Sequence, residues 1–441
     1  RYDHINRLTH ALYGEGNNIT INDKYNEILT YDLMGNILTL RRHGKHDSGF
    51  GLIDKLAYKY NGNQLIKVTD AATTSVTSYG AFQFVDDADV ENEYVYDANG
   101  NMTEDFNKKI SKIEYNLLNL PSKLQFSFGH MAEYSYDGAG RKLSVTYKTS
   151  KTNLFVPMGS IVPPQFTNVA LTLKTDCCGN MIYENGQLSK ILTDVGYITL
   201  ANSTPTYHYY LQDHLGNNRV VIDEHGQVEQ VNHYYAFGGL MGESTGGGAQ
   251  PYKYNGKELD RMHGLDWYDY GARHYDAVLG RWMCVDPLAE KYVSISPYSY
   301  CKSSPMNYID EKGLYPKGIV TIHYERSIVT TAPSITGATM NVPTQYVYYK
   351  FTKSATHLLS LVSGVPENYI KNVRLEEFNL QRESNSITLG DSPENTRMLV
   401  SPEYFNEENI SKEQYYNWWF KEFSHEVGHI KQIKRDGSEG L

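Results

Sequence analysis

Residues 96–105 read YDANGNMTED, and the reading of this stretch decides the fold. A tyrosine opens it, an aspartate follows, a short polar turn carrying Asn-Gly comes next, and apolar residues then alternate with polar ones. Alternation with period two is the mark of a half-buried strand, and Asn-Gly tolerates the positive φ of a tight turn, so the stretch reads as a strand end, a hairpin turn and a strand start. The layout returns in YDLMGNILTL (31–40), YNGNQLIKV (60–68), YNLLNLPSKL (115–124) and YDGAGRKLSV (136–145), with weaker copies in YDHINRLTHAL (2–12) and CGNMIYENGQLSKI (178–191). The copies starting at Tyr96, Tyr115 and Tyr136 recur about every twenty residues. One hairpin alone leaves its apolar face wet, so successive units are expected to pair edge to edge in a long continuous sheet.

Composition agrees with that reading. The 441 residues include 38 tyrosines, which favour strands, and 36 glycines, which favour turns. The length predicts two to four domains. With 41 basic against 51 acidic residues the net charge is −10, which gives no global attraction for nucleic acid or an acidic membrane face. No apolar run approaches the roughly 18 residues of a membrane helix, so no membrane span is expected. Cys177 and Cys178 are adjacent and far from Cys284 and Cys301, which reads as four unpaired thiols, a Cys284–Cys301 bridge being the alternative. Arg1 opens inside the repeat pattern with no initiating Met and no signal peptide, so the natural N-terminus is expected upstream.

These repeats resemble the Rhs or YD-repeat family. From Tyr207 to Gly313 the resemblance is to the Rhs-associated core domain, segment after segment: YHYYLQDHLGNNRVVIDEHGQVEQ (207–230), YYAFGGL (234–240), PYKYNGKELDRMHGLDWYDYGARHYDAVLGRWMCVDPLAEKY (251–292) and SPYSYCKSSPMNYIDEKGL (296–314). The resemblance implies a mostly β fold: a repeat shell over residues 1–206, a core plug over 207–314, and a small α+β effector over 315–441. It further implies a bacterial polymorphic toxin, secreted or at the cell surface. The repeats of that family wind into a β-spiral around a hollow interior, and the shell would enclose its own C-terminal domain. Secretion machinery and an immunity protein are the further partners implied.

Two acids of the core, Asp286 in RWMCVDP and Asp310 in NYIDEKGL, follow Arg273 in GARHYD. Two carboxylates sharing a site divide labour, one protonated as an acid and one ionised to activate water, because both cannot comfortably ionise together. A nearby Arg helps fix which is which. Asp-Pro and Asp-Glu also make turns, and spacing alone leaves both roles open. Rhs proteins and the similar insecticidal-toxin C proteins use such a pair with an Arg for self-cleavage, which implies a cut after Leu314 and a released segment starting at Tyr315. Where the family has proline after the second aspartate, this chain has Glu311.

Beyond Leu314 the repeat pattern stops and the charge is nearly balanced. GIVTIHYERSIV and TQYVYYKF read as strands, SATHLLSLVSGV as a short helix, and ISKEQYYNWWFKEFSHEVGHIKQIK as a long helix with Ser411 as N-cap, Gln414 completing a capping box and Gly437 as the stop. Within it, His425 and His429 lie about 40° apart in projection and reach one metal, while Glu426 stands about 100° round, placed to polarise a metal-bound water. The apolar positions Phe420, Phe423, Val427 and Ile430 form a separate packing stripe. In layout the tail resembles zincin metallopeptidase toxin domains, which implies zinc as cofactor. Gln432 and Arg435 stand where a metzincin needs Gly and His, and His323 or His357 has no spacing that marks it as third ligand. That ligand is expected beyond Leu441. Two other functions stay open: a non-enzymatic surface or adhesion protein, and a nuclease tail, against which the lack of a basic-aromatic cluster counts.

Overall fold

The computed structural model describes residues 1–16, 19–47, 49–74, 80–152, 154–201, 204–314, 316–318, 320–333, 339–351, 374–377, 386–389 and 397–400. The chain divides into two compact units, Arg1–Pro316 and Lys317–Leu441. The described residues are mostly β, and the pairing is almost wholly antiparallel.

One turn, built many times, explains the repeat. The side-chain Oδ1 of Asp3, Asp32, Asp97, Asn116, Asp137, Asp213 and Asp223 accepts the backbone N–H of the residues two and four positions on. The residue three positions on takes positive φ, as Gly35 does at 83° and Gly100 at 79°, and Asn6 and Asn119 fill the same place. A carboxylate or amide is needed because it mimics a backbone acceptor, and glycine or asparagine because a Cβ is penalised there. Two of the copies recognised in the sequence differ. In YNGNQL the glycine comes two residues after the tyrosine and not four, and Asn61 pairs directly with Gln64 across a two-residue turn. CGNMIYENGQL holds two such turns, Cys178 opposite Met181 and Glu184 opposite Gln187.

Three of the repeat tyrosines tie their hairpins to earlier ones. Tyr31 donates to the Leu8 carbonyl at 2.6 Å, Tyr60 to Ile37 at 2.7 Å and Tyr115 to Met102 at 2.6 Å. Leu8, Ile37 and Met102 each stand five residues after the aspartate of a turn, so the contact is itself periodic. Each bond contributes on the order of 1 kcal/mol, and the ring fills the gap between neighbouring turns.

Among the described residues, strands His10–Glu15, Thr20–Tyr31, Ile37–His46, Gly49–Asn61 and Gln64–Asp70 form one sheet in sequence order. A second sheet of thirteen strands, from Tyr94–Tyr96 to Val228–Val231, also runs in sequence order. The expected continuous sheet is interrupted between Asp70 and Tyr94. There the edge of the first sheet is capped by carboxylates, Glu93 taking the N–H of Val68 at 3.0 Å and Asp86 that of Asp70 at 2.8 Å. Phe82 and Phe84 from the intervening segment are buried in the shared core.

Residues 232–314 pack against these sheets. Their short strands Glu258–Asp260, Trp267–Asp269, His274–Asp276 and Arg281–Trp282 form a four-stranded sheet, and Trp267, Tyr268, Tyr275, Trp282 and Tyr300 join Leu40, Val68, Leu124 and Val145 in one apolar core. Polar anchors cross the same boundary. Arg42, fully buried, pairs with Glu27 at 3.0 Å and Asp54 at 2.6 Å and donates to the Val278 carbonyl, while Glu27 also accepts the Ala236 N–H. Cys177, Cys178, Cys284 and Cys301 are free thiols, the last two buried.

In the second unit, Val320–Pro333 pairs antiparallel with Thr339–Phe351, and Arg374–Glu377, Ser386–Leu389 and Arg397–Val400 complete a five-stranded sheet. The first two overlap the stretches read as strands in the sequence. The two helices expected from the sequence lie outside the described residues.

Candidate active site

Arg273, Asp286 and Asp310 come together. Arg273 enters the four-stranded sheet just before His274–Asp276, Asp286 follows Arg281–Trp282, and Asp310 ends the strand Tyr308–Asp310. Arg273 Nη2 donates to Asp286 Oδ2 at 2.7 Å and lies 3.4 Å from Asp310 Oδ2. Its Nε donates to the Gly313 carbonyl at 2.7 Å and its Nη1 to the Pro297 carbonyl at 3.2 Å. The guanidinium stacks 4.1 Å from the centre of the Trp282 ring, which fixes its plane. The side chains of Arg273 and Asp310 are each 1 % exposed, that of Asp286 11 %.

Both carboxylates make turns and face the arginine at once, one oxygen for each task. Asp286 Oδ1 accepts the Leu288 N–H at 2.7 Å while Oδ2 meets Arg273. Asp310 Oδ1 accepts the N–H of Lys312 at 3.2 Å and of Leu314 at 3.0 Å, and Gly313 between them takes φ of 68°. This is the bonding pattern of the repeat turns, with the acceptor serving positions two and four and glycine at position three. The loop that ends at Leu314 is thus another copy of the repeat turn, set against an arginine. A Cβ on Gly313 would come 3.0 Å from the Arg273 amide nitrogen, so glycine is required twice over.

Burial pushes the Asp286 carboxyl up, against the opposing pull of Arg273, and pushes Arg273 below its ordinary value. The neighbouring Cys284 thiol is pushed up to about 12 by burial, which makes it a poor nucleophile at neutral pH. Asp286 also lines a cavity of about 30 Å³ with Ser296, Pro297, Ser299, Lys302 and Pro316, enough room for one water among polar neighbours. The site therefore places two carboxyl groups, a fixed positive charge and water-sized space around a tightly held peptide segment.

Glu311 is exposed, and its backbone carbonyl accepts from Lys257 Nζ at 2.6 Å. Neither Lys257 nor the stacking partner Trp282 was apparent from sequence, since both sit in runs where charge and aromatic residues are everywhere. Leu314 is the last described residue before Tyr315, which lies outside the described residues, as do His425, Glu426 and His429. Among the described residues there is no cluster of three or more His, Cys, Asp or Glu able to hold a metal ion. No described helix is long and apolar enough to cross a membrane.

No family model matches the chain. It is 29% identical over 293 residues, 62% of its length, to "Salivary gland surface protein 1" of Aedes aegypti. It is 30% identical over 121 residues, 26% of its length, to "Toxin subunit YenC1" of Yersinia entomophaga. Among solved structures, a TcdB2-TccC3-Cdc42 crystal structure aligns with 71% of this chain at 16% identity and a TM-score of 0.46. A Photorhabdus luminescens Tc holotoxin pore aligns with 78% at 17% identity and a TM-score of 0.45. The chain spans 8% and 12% of the two curated relatives and 17% of each of these structures, so its similarity is to part of much longer proteins, one of them a toxin subunit.

Proposed function

We propose that the chain is part of an encapsulating toxin carrier that cuts its own backbone between Leu314 and Tyr315, with residues 315–441 as the enclosed cargo. One observation carries this reading. A buried arginine grips the Gly313 carbonyl and both carboxylates, and Asp310 holds the Leu314 N–H, so the peptide beside the cut is fixed against acid-base groups.

In this mechanism water adds to the Leu314 carbonyl carbon while Asp286 takes its proton, and the Arg273 charge stabilises the developing oxyanion. Asp286 then delivers that proton to the Tyr315 nitrogen as the carbon–nitrogen bond breaks. Asp310 holds the loop through Oδ1 and, through the charge on Oδ2, holds Arg273 where the oxyanion forms, a task an amide does not perform. The raised proton affinity of Asp286 suits it to carry a proton in both directions. The test is a denaturing gel of freshly purified protein: wild type separates into two pieces, while Asp286→Asn and Asp310→Asn each give one. A folded wild type that runs as one piece rejects the mechanism.

In the same reading the cargo is a zinc metallopeptidase in which His425 and His429 are ligands and Glu426 is the general base. Its support is the His-Glu-x-x-His spacing in the sequence. Similarity to the mosquito surface protein over 293 residues favours a second reading, a non-enzymatic surface protein built on the same repeat sheets. The two differ at the gel, because a surface protein has no use for a cut at Leu314.

A further inference from the structure

Three successive carbonyls of the loop that ends at Leu314 are each taken by a donor from elsewhere in the core. Lys257 Nζ donates to Glu311 at 2.6 Å, the Ala272 N–H to Lys312 at 3.1 Å, and Arg273 Nε to Gly313 at 2.7 Å. Ala272 and Arg273 are neighbours in sequence and hold one edge of the loop. Lys257 approaches from a different segment, the residue before the strand Glu258–Asp260, and its ammonium lies 5.3 Å from the centre of the Tyr270 ring. The paired strands Tyr308–Asp310 and Pro316–Gly318 close the base of the loop, the Ala272–Arg273 pair holds one edge, and Lys257 adds a restraint from a separate segment.

We propose that Lys257 is a positioning residue for self-cleavage, holding the Asp310–Leu314 loop in the one orientation that presents the Leu314 carbonyl to Asp286. The inference rests on the self-cleavage reading and deepens it. Lys257 donates to a backbone carbonyl, which every residue supplies, so this hydrogen bond does not require glutamate at position 311. Glu311 and a proline there present the same acceptor, and this accounts for the departure from the family pattern without loss of the site. An ammonium also suits the task better than a neutral donor, because a charge-assisted bond to a carbonyl is shorter and stronger.

The experiment is timed cell-free synthesis of the full chain, with the cleaved fraction followed on denaturing gels and the melting temperature of each purified variant measured beside it. Lys257→Met is expected to slow cleavage at least tenfold while melting close to wild type. Lys257→Arg, which keeps a cationic donor, restores most of the rate, and Glu311→Pro cuts at the wild-type rate. A purely structural lysine would lower melting and cleavage together and would not be rescued by arginine. Should Lys257→Met not fold, Lys257→Arg and Glu311→Pro still decide: either one cutting tenfold slower than wild type overturns the inference. A wild type that cuts beside a Lys257→Met variant that cuts equally fast overturns the inference alone. A folded wild type that stays intact overturns the cleavage reading and this inference together.

Discussion

Asp310 holds the backbone N–H of Leu314 at 3.0 Å, and Asn116 holds that of Leu120 at 3.1 Å in the same way. The candidate cleavage loop and an ordinary repeat turn are therefore one device in two settings. What differs is the other side-chain atom: Asn116 has an amide nitrogen there, Asp3 and Asp137 turn Oδ2 to Arg7 and Arg141 of their own turns, and Asp310 turns Oδ2 to Arg273 from a distant segment. At Asp310 the general-purpose turn is set against a buried cation.

That equivalence makes Asp310→Asn an unusually clean variant. Asn116 shows that an amide sustains the turn, so Asp310→Asn should keep melting within about 1 kcal/mol of wild type while stopping cleavage. Asp310→Ala removes the acceptor as well and should lower stability by a further ~1–2 kcal/mol. Thermal melts of both variants beside a cleavage gel check this.

Gly313→Ala should cost ~1–3 kcal/mol, because a non-glycine residue at φ of 68° is strained and its Cβ would come 3.0 Å from the Arg273 amide nitrogen. The loop relaxes by moving away from Arg273, so cleavage should slow more than stability falls. Chemical denaturation and the cleaved fraction measured on one preparation separate the two effects.

Much of the fold was legible in the sequence because its turns are chemically marked. An acceptor at the first turn position and glycine or asparagine three residues on are side-chain requirements, and they recur visibly. The contacts from Tyr31 to Leu8 and from Tyr60 to Ile37 were not legible, since a hydroxyl meeting a carbonyl 23 residues away leaves no mark on residue type. The break between Asp70 and Tyr94 was missed for a related reason: Glu93 and Asp86 look like surface acids and instead satisfy a sheet edge. Nothing in residue type marks Arg42, Glu27 and Asp54 as one buried set, because their burial depends on segments far along the chain around Ala236 and Val278. Of the candidate site, the three charged residues were visible, and the neighbouring Lys257 and Trp282 were not.

Arg42→Met should destabilise Arg1–Pro316 by ~3–5 kcal/mol, because it strands Glu27 and Asp54 in the core without their cation. Replacing all three with apolar residues of similar volume should recover most of that loss. Urea titration of the single and triple variants tests both statements.

Lys253 is 1% exposed and burial brings its pKa down to about 7, against 10.5 for a free lysine. Between those two values the unfolded chain binds the extra proton, so stability should rise as pH climbs from about 7 to about 10 and stay flat below 7. Lys253→Met should remove that rise and stabilise the protein at pH 7 by roughly 2 kcal/mol. Melting curves from pH 6 to 10 for both proteins decide it, and an unchanged alkaline slope in the variant would refute the assignment.

The central claim is a specific cut, and intact-mass spectrometry of the denatured full chain tests it most directly. Two species are predicted whose masses sum to the 441-residue chain plus one water, the larger ending at Leu314 and the smaller beginning at Tyr315, with Asp286→Asn giving the single uncut mass. A natively folded wild type that shows only the uncut mass, or a cut that persists in Asp286→Asn, would contradict it.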